Sequence, residues 1–140
     1  MFTTAIQPRF GDMDFLGHIN NTVLALWFET ARNSVFRIFS PDLIINPEIF
    51  PLIMAHTEYD FIDELYYQYD VEIRTWVSKI GTKSFTVYQE AWQKGTERPL
   101  TMCVKGKSVM VHYNFRTRRS TPLPEDKKKL LGEHLLVSGK

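Results

Sequence analysis

The sequence predicts an α+β fold in which one long α-helix covers a face of an antiparallel sheet of about five strands. Three observations predict it. Residues 22–39, TVLALWFETARNSVFRIF, place Val23, Leu24, Trp27, Phe28, Ala31, Val35, Ile38 and Phe39 at helical spacing, leaving a narrow polar strip of Thr22, Glu29, Arg32, Asn33 and Arg37. From residue 51 the apolar period changes to two, in runs rich in Val, Ile, Thr, Tyr, Phe and Trp that alternate with charged residues such as Glu72 and Arg74. The connections GTK at 81–83 and KGTERP at 94–99 are short and contain glycine, which favours antiparallel hairpins over crossovers.

Taken in order, FTTAIQPRF supplies a first strand, and the loop FGDMDFLGHINNT at 10–22 leads into the helix. Asn20 or Asn21 serves as its N-cap by accepting a hydrogen bond from an unpaired first-turn amide, and Ser40 and Pro41 mark its exit. Strands follow at PLIMAHTEYDFID, YQYDVEIRTWVSKI, SFTVYQEAWQ and TMCVKGKSVMVHYNF. PLPEDKKKLLGEHLL reads as a short closing helix, introduced by proline and with acids in its first turn; its DKKK run lies on a solvated face. No repeat, low-complexity tract or composition break divides the chain, so residues 1–140 are expected to form a single domain.

An apolar content of 44% over 140 residues is enough for a real core. Lys and Arg total 17 against 16 Asp and Glu, a balance that argues against a polyanion binder, so nucleic acid is not an expected partner. The single cysteine, Cys103, has no disulfide partner and no companions at metal-ligand spacing, and is read as a small buried side chain; no metal is expected. MFTTAIQPRF lacks the basic start and apolar run of a secretion signal, and no apolar stretch reaches the roughly 18 residues that cross a bilayer. A cytoplasmic location is expected.

The loop at 10–22 carries two aspartates, two glycines, a histidine and two asparagines, more polar chemistry than a turn requires. A carboxylate just ahead of a helix N-terminus stands beside amides that bear partial positive charge. That pairing suits acyl transfer, because fixed N–H donors aimed at the developing oxyanion lower the barrier by about 2.7–4 kcal/mol for one donor. Asp12 is read as a turn acid accepting backbone hydrogen bonds, and Glu29 and Arg32 as a surface pair on the helix.

RFGDMDFLGHINNTVLALWFETAR resembles the signature of the hotdog-fold acyl-CoA thioesterases of the 4-hydroxybenzoyl-CoA thioesterase-like branch. There, Asp-x-Asp-x-x-Gly-His-(apolar)-Asn-Asn leads into a helix bearing an aromatic, a glutamate and Ala-Arg. The matching residues are Asp12, Asp14, Gly17, His18, Ile19, Asn20, Asn21, Trp27, Glu29, Ala31 and Arg32. YDFIDELYYQYDVEIRTWVSKIGTKSF and GKSVMVHYNFRTRRSTPLPE resemble later strands of the same family, so the likeness spans nearly the whole chain.

The resemblance implies hydrolysis of an acyl-CoA to free acid and coenzyme A, with no cofactor beyond the coenzyme A of the substrate and no metal. Asp14 takes the place of the carboxylate that attacks the thioester carbonyl or activates water. Gly17 or His18 lies where a backbone N–H polarises the thioester oxygen, and the His18 side chain either orients substrate or is satisfied by the loop. Asn20 and Asn21 are read chiefly as helix caps, with Asn20 also placed on the substrate side. Lys83 and Ser84 lie near the path of coenzyme A, Arg116 is a cation for its phosphates, and His56 reaches the site across a subunit interface. A homodimer or homotetramer is implied. Some relatives carry tyrosine near Leu24, so the acyl group stays open. The alternatives are an acyl-carrier-protein thioesterase and a non-catalytic acyl-CoA binder; a hotdog hydratase is disfavoured, because its motif separates Asp and His by one residue more than Asp14 and His18 are separated here.

Overall fold

The structure, a computed structural model, describes residues 1–46 and 48–136. Its elements are β1 (Phe2–Ile6), α1 (Asn21–Ala31), α2 (Asn33–Phe36), β2 (Leu52–Phe61), β3 (Val71–Ile80), β4 (Ser84–Gly95), β5 (Arg98–Asn114), the short β6 (Arg119–Ser120) and α3 (Glu125–Gly132). The strands pair antiparallel in the order β1-β3-β4-β5-β2, and β6 adds to the end of β5. This is the hotdog layout, one curled sheet around a helix. No helix among the described residues is long and apolar enough to cross a membrane.

The expected helix over 22–39 is not continuous. Regular α1 stops at Ala31, Arg32 forms a turn, and α2 resumes for four residues. The Ser34 hydroxyl donates to the Ala31 carbonyl at 3.0 Å, a local bond that competes with the helical ladder. Of the two candidate caps, Asn20 is the one used: its Oδ1 accepts from the Thr22 amide at 3.0 Å and from the Thr22 hydroxyl at 2.9 Å. The closing helix spans only Glu125–Gly132, and beyond it the chain runs beside β3, where the Val77 amide donates to the His134 carbonyl at 3.1 Å.

Two apolar clusters hold the helices against the sheet. One gathers Ile19, Leu24, Trp27, Phe28, Leu65, Ile73 and Val104, and the other Val35, Phe39, Leu52, Val77, Phe85, Met110 and Leu131. Between them a polar belt crosses the inner face of the sheet. Thr75 Oγ1 accepts from Gln89 Nε2 at 3.1 Å, Gln89 Oε1 and Ser108 Oγ accept from the Arg32 guanidinium at 3.3 and 3.1 Å, and Thr57 Oγ1 lies 3.1 Å from Ser108 Oγ. Gln89 Nε2 also donates to the Phe28 carbonyl at 2.9 Å, which ties the belt to the helix. Glu29 and Arg32 are thus not an ion pair: Arg32 points inward and Glu29 is exposed.

On β5, Gly106 lies directly beneath the Phe28 and Tyr59 rings. A Cβ there would lie 2.9 Å from Tyr59 and 3.0 Å from Phe28, both ring atoms packed in the core. Gly106→Ala is therefore expected to overpack the core and destabilise the protein by about 1–3 kcal/mol, read as a lower urea midpoint with unchanged slope.

Among the described residues β2 is hydrogen-bonded on one side only, to β5. Along its length Met54, Ala55, His56, Thr57, Glu58, Asp60 and Phe61 are exposed, with a bulge between Met54 and His56. A long strand with a free edge and exposed apolar residues is a ready template for pairing with another chain.

Candidate active site

The motif loop is a small hairpin. Met13 and Ile19 form an antiparallel bridge, the Asp14 amide donates to the His18 carbonyl at 2.8 Å, and the Asn20 amide donates to the Asp12 carbonyl at 2.8 Å. The Gly17 amide closes the turn onto the Asp14 carbonyl at 3.2 Å. Gly17 has φ of 81°, the left-handed conformation that glycine adopts without a steric penalty, which explains the residue type at this corner. Asp12 sits buried beneath the hairpin, as the turn reading expects, and accepts from the Arg9 amide at 2.8 Å and the Arg9 guanidinium at 3.2 Å. Burial alone would raise its pKa, but the bonds and charge of Arg9 hold its carboxyl below the usual range.

Asp14 is half-buried at the hairpin corner. Its Oδ1 accepts from the Leu16 amide at 2.9 Å, which orients the carboxylate; Oδ2 accepts no hydrogen bond among the described residues. The Gly17 N–H is spent inside the turn, so the free amides near the helix start are those of His18 and Asn21. The Asn21 amide is the first in the helix, where the partial positive charge concentrates.

A second segment, residues 61–67, is stitched alongside. The Ile19 amide donates to the Leu65 carbonyl at 2.8 Å and the Tyr67 amide to the Gly17 carbonyl at 3.2 Å. This brings Glu64 Oε2 to 3.3 Å from His18 Nδ1 and sets the Tyr66 ring edge-on to the imidazole at 5.2 Å. Arg98 holds the segment from behind, over the Tyr66 ring at 4.9 Å and 3.5 Å from Asp63, while Gln93 Nε2 donates to the Tyr66 carbonyl at 2.8 Å. Cys103 accepts from Arg98 at 3.0 Å; burial pushes its thiol up to about 11, so it is no nucleophile.

A cavity of about 360 Å³ opens where the two segments meet the helix, lined by Ile19, Asn21, Leu24, Phe61, Ile62, Asp63, Glu64, Leu65 and Val104. Asp14 is outside that wall, on the hairpin that ends in it. Glu64, Tyr66 and Arg98 were not singled out from the sequence. Their signal would have been the acid pair Asp63–Glu64 at the end of an alternating strand, a position where side chains usually face solvent.

The other expected substrate-side residues do not join this group within one chain. Lys83 directly precedes β4 and Ser84 begins it, at the opposite end of the sheet, where the Lys83 carbonyl accepts from the His112 amide at 2.8 Å. Arg116 is exposed there, 3.7 Å from Glu48, beside a second cavity of about 520 Å³ lined also by His112, Tyr113 and Phe115. His56 lies midway along β2, exposed and 2.9 Å from Glu58. The length of β2 separates the two ends, about 30 Å at the usual strand rise. Among the described residues no cluster of His, Cys, Asp or Glu is arranged to hold a metal ion.

A fixed carboxylate, free amides at a helix start and an adjoining cavity with both apolar and acidic walls are the parts that attack on an acyl carbonyl requires. Comparison with known proteins agrees. Residues 8–131 match the thioesterase-like superfamily. A predicted thioesterase from Bacillus stearothermophilus is 39% identical, with 96% of each chain covered and a TM-score of 0.86. A thioesterase from Thermus thermophilus, complexed with coenzyme A and zinc, is 26% identical over 92% of this chain and 95% of its own, with a TM-score of 0.77. A 4-hydroxybenzoyl-CoA thioesterase shares the fold at 17% identity, with 93% and 97% of the two chains covered and a TM-score of 0.79. With the motif, the fold and these likenesses in agreement, the chain belongs to the thioesterase-like superfamily and is a hotdog-fold thioester hydrolase.

Proposed function

We propose that the protein hydrolyses acyl-CoA thioesters to free acid and coenzyme A, as one domain acting in the cytosol and without a resident cofactor. The observation that carries this reading is the Asp14–Gly17 turn, which holds a carboxylate with one free oxygen just ahead of the unpaired amides of His18 and Asn21. As general base, Asp14 takes a proton from water; the hydroxide adds to the carbonyl carbon, and the oxyanion is held by those amides. The C–S bond then breaks, and the proton passes to the coenzyme A sulfur. As nucleophile, Asp14 would instead form an anhydride that water opens. Glu64, whose Oε2 lies 3.3 Å from His18 Nδ1, stands beside the imidazole and helps to orient it. The cavity beside Asn21 takes the start of the acyl group.

The working unit is a homodimer joined at the free edges of β2, either alone or as half of a tetramer. Two β2 strands paired antiparallel would bring the Lys83, Ser84 and Arg116 end of one protomer toward the Asp14 hairpin of the other, assembling the substrate path that one chain separates. The coenzyme A held by the Thermus thioesterase supports the substrate class. Thiol release from short-chain, long-chain and aryl acyl-CoA esters tests the reading: turnover of at least one class is expected. Tight acyl-CoA binding without turnover of any of them would make the protein a binder instead.

A further inference from the structure

Arg32 is 2% exposed, yet its guanidinium meets no carboxylate among the described residues. Its hydrogen bonds go to the neutral Gln89 Oε1 and Ser108 Oγ, and its buried Nε donates to nothing. A buried cation with only neutral acceptors is costly, because those acceptors replace hydration without supplying the opposite charge. One of its partners leads toward the surface. Ser108 Oγ is bonded to the hydroxyl of Thr57, which is exposed on the strand with the free edge.

The helix presents a matching anion toward the same edge. Leu24, Phe28 and Arg32 recur every four residues on the flank that faces β5 and β2: Leu24 lines the cavity with Phe61, Phe28 packs on Tyr59 at 5.4 Å, and Arg32 bonds Ser108. The next stripe outward on that flank is Ala25 and Glu29. Glu29 is exposed and has no ion-pair or hydrogen-bond partner for its side chain among the described residues, while Ala25 is small enough to permit close approach.

We infer that a second copy of this chain, docked at the β2 edge, places Glu29 of the partner subunit against Arg32, and that the reciprocal pair closes the polar belt across the dimer axis. The inference rests on the dimer proposed above and adds the group that makes the interface specific. A two-fold interface is self-complementary, so one unpaired anion and one unpaired cation on the same flank satisfy each other twice. The polar belt from Thr75 to Thr57 then continues into its copy rather than ending at solvent.

Sedimentation equilibrium over a concentration series tests this with wild type, Glu29→Gln, Arg32→Gln and the double variant. Because Glu29 is on the surface, Glu29→Gln is expected to fold, as far-UV circular dichroism will check, while its dimer dissociation constant rises about 30-fold or more. In the double variant the effect of Glu29→Gln should largely disappear; if Arg32→Gln fails to fold, Arg32→Lys replaces it in the cycle, with partial loss of coupling expected. A monomeric wild type would overturn both the dimer and the ion pair. A dimeric wild type whose dissociation constant is unchanged by Glu29→Gln would overturn the ion pair alone. So would stabilisation by chloride with no effect of Glu29→Gln, which would assign Arg32 to an inorganic anion.

Discussion

Asp14→Asn is expected to lower kcat for acyl-CoA hydrolysis by about 100- to 10,000-fold, the range that a positioned acid–base group contributes. Asparagine keeps the Oδ1 that accepts from the Leu16 amide, so the hairpin keeps its shape and KM changes little. What is lost is the second oxygen, which can take a proton or attack carbon. Steady-state kinetics on the best substrate of the panel, together with an unchanged thermal transition, checks the prediction. Full activity in the variant would move the chemistry to Glu64, a carboxylate that lines the cavity directly.

Phe28→Ala is expected to have the largest effect on stability, about 3–5 kcal/mol at a fixed protein concentration. Phe28 is 0% exposed, packs on Tyr59 at 5.4 Å, and its carbonyl accepts from Gln89. Removing the ring leaves a void between the helix and Gly106, where the opposing side has no side chain to relax into the space. Against a total stability of about 5–15 kcal/mol this is a large fraction. Denaturant titration should show a much lower midpoint; a shift below about 1 kcal/mol would mean that the helix is not anchored there.

Much of the fold was legible from local pattern. The change from a helical period to a period of two placed the start of α1 and the four long strands within a few residues of their observed limits, because burial on one face imposes that spacing directly. The break at Arg32 was not legible. The apolar residues keep their helical spacing across it, and the local bond of Ser34 is too weak a signal to read from residue types alone. In the site, Asp14 and Gly17 stood out because the residues around them match the thioesterase signature; turn chemistry alone would have left Asp14 an ordinary turn acid. The expectation of one oxyanion amide from Gly17 or His18 met a structure in which the Gly17 N–H is engaged and Asn21 offers a free one.

By itself the sequence determined most of the elements, the antiparallel character of the sheet and the polar loop ahead of the helix, since each of these depends on neighbours within a few residues. Only the tertiary structure decided which distant residues share an environment. It drew Glu64 to His18, buried Arg32 among Gln89 and Ser108 while leaving Glu29 outside, and put Lys83 and Arg116 at the far end of the strands from Asp14. The reason is physical. A charged side chain looks the same in sequence whether it ends in water or under a sheet, and strand pairing across many residues settles which it will be.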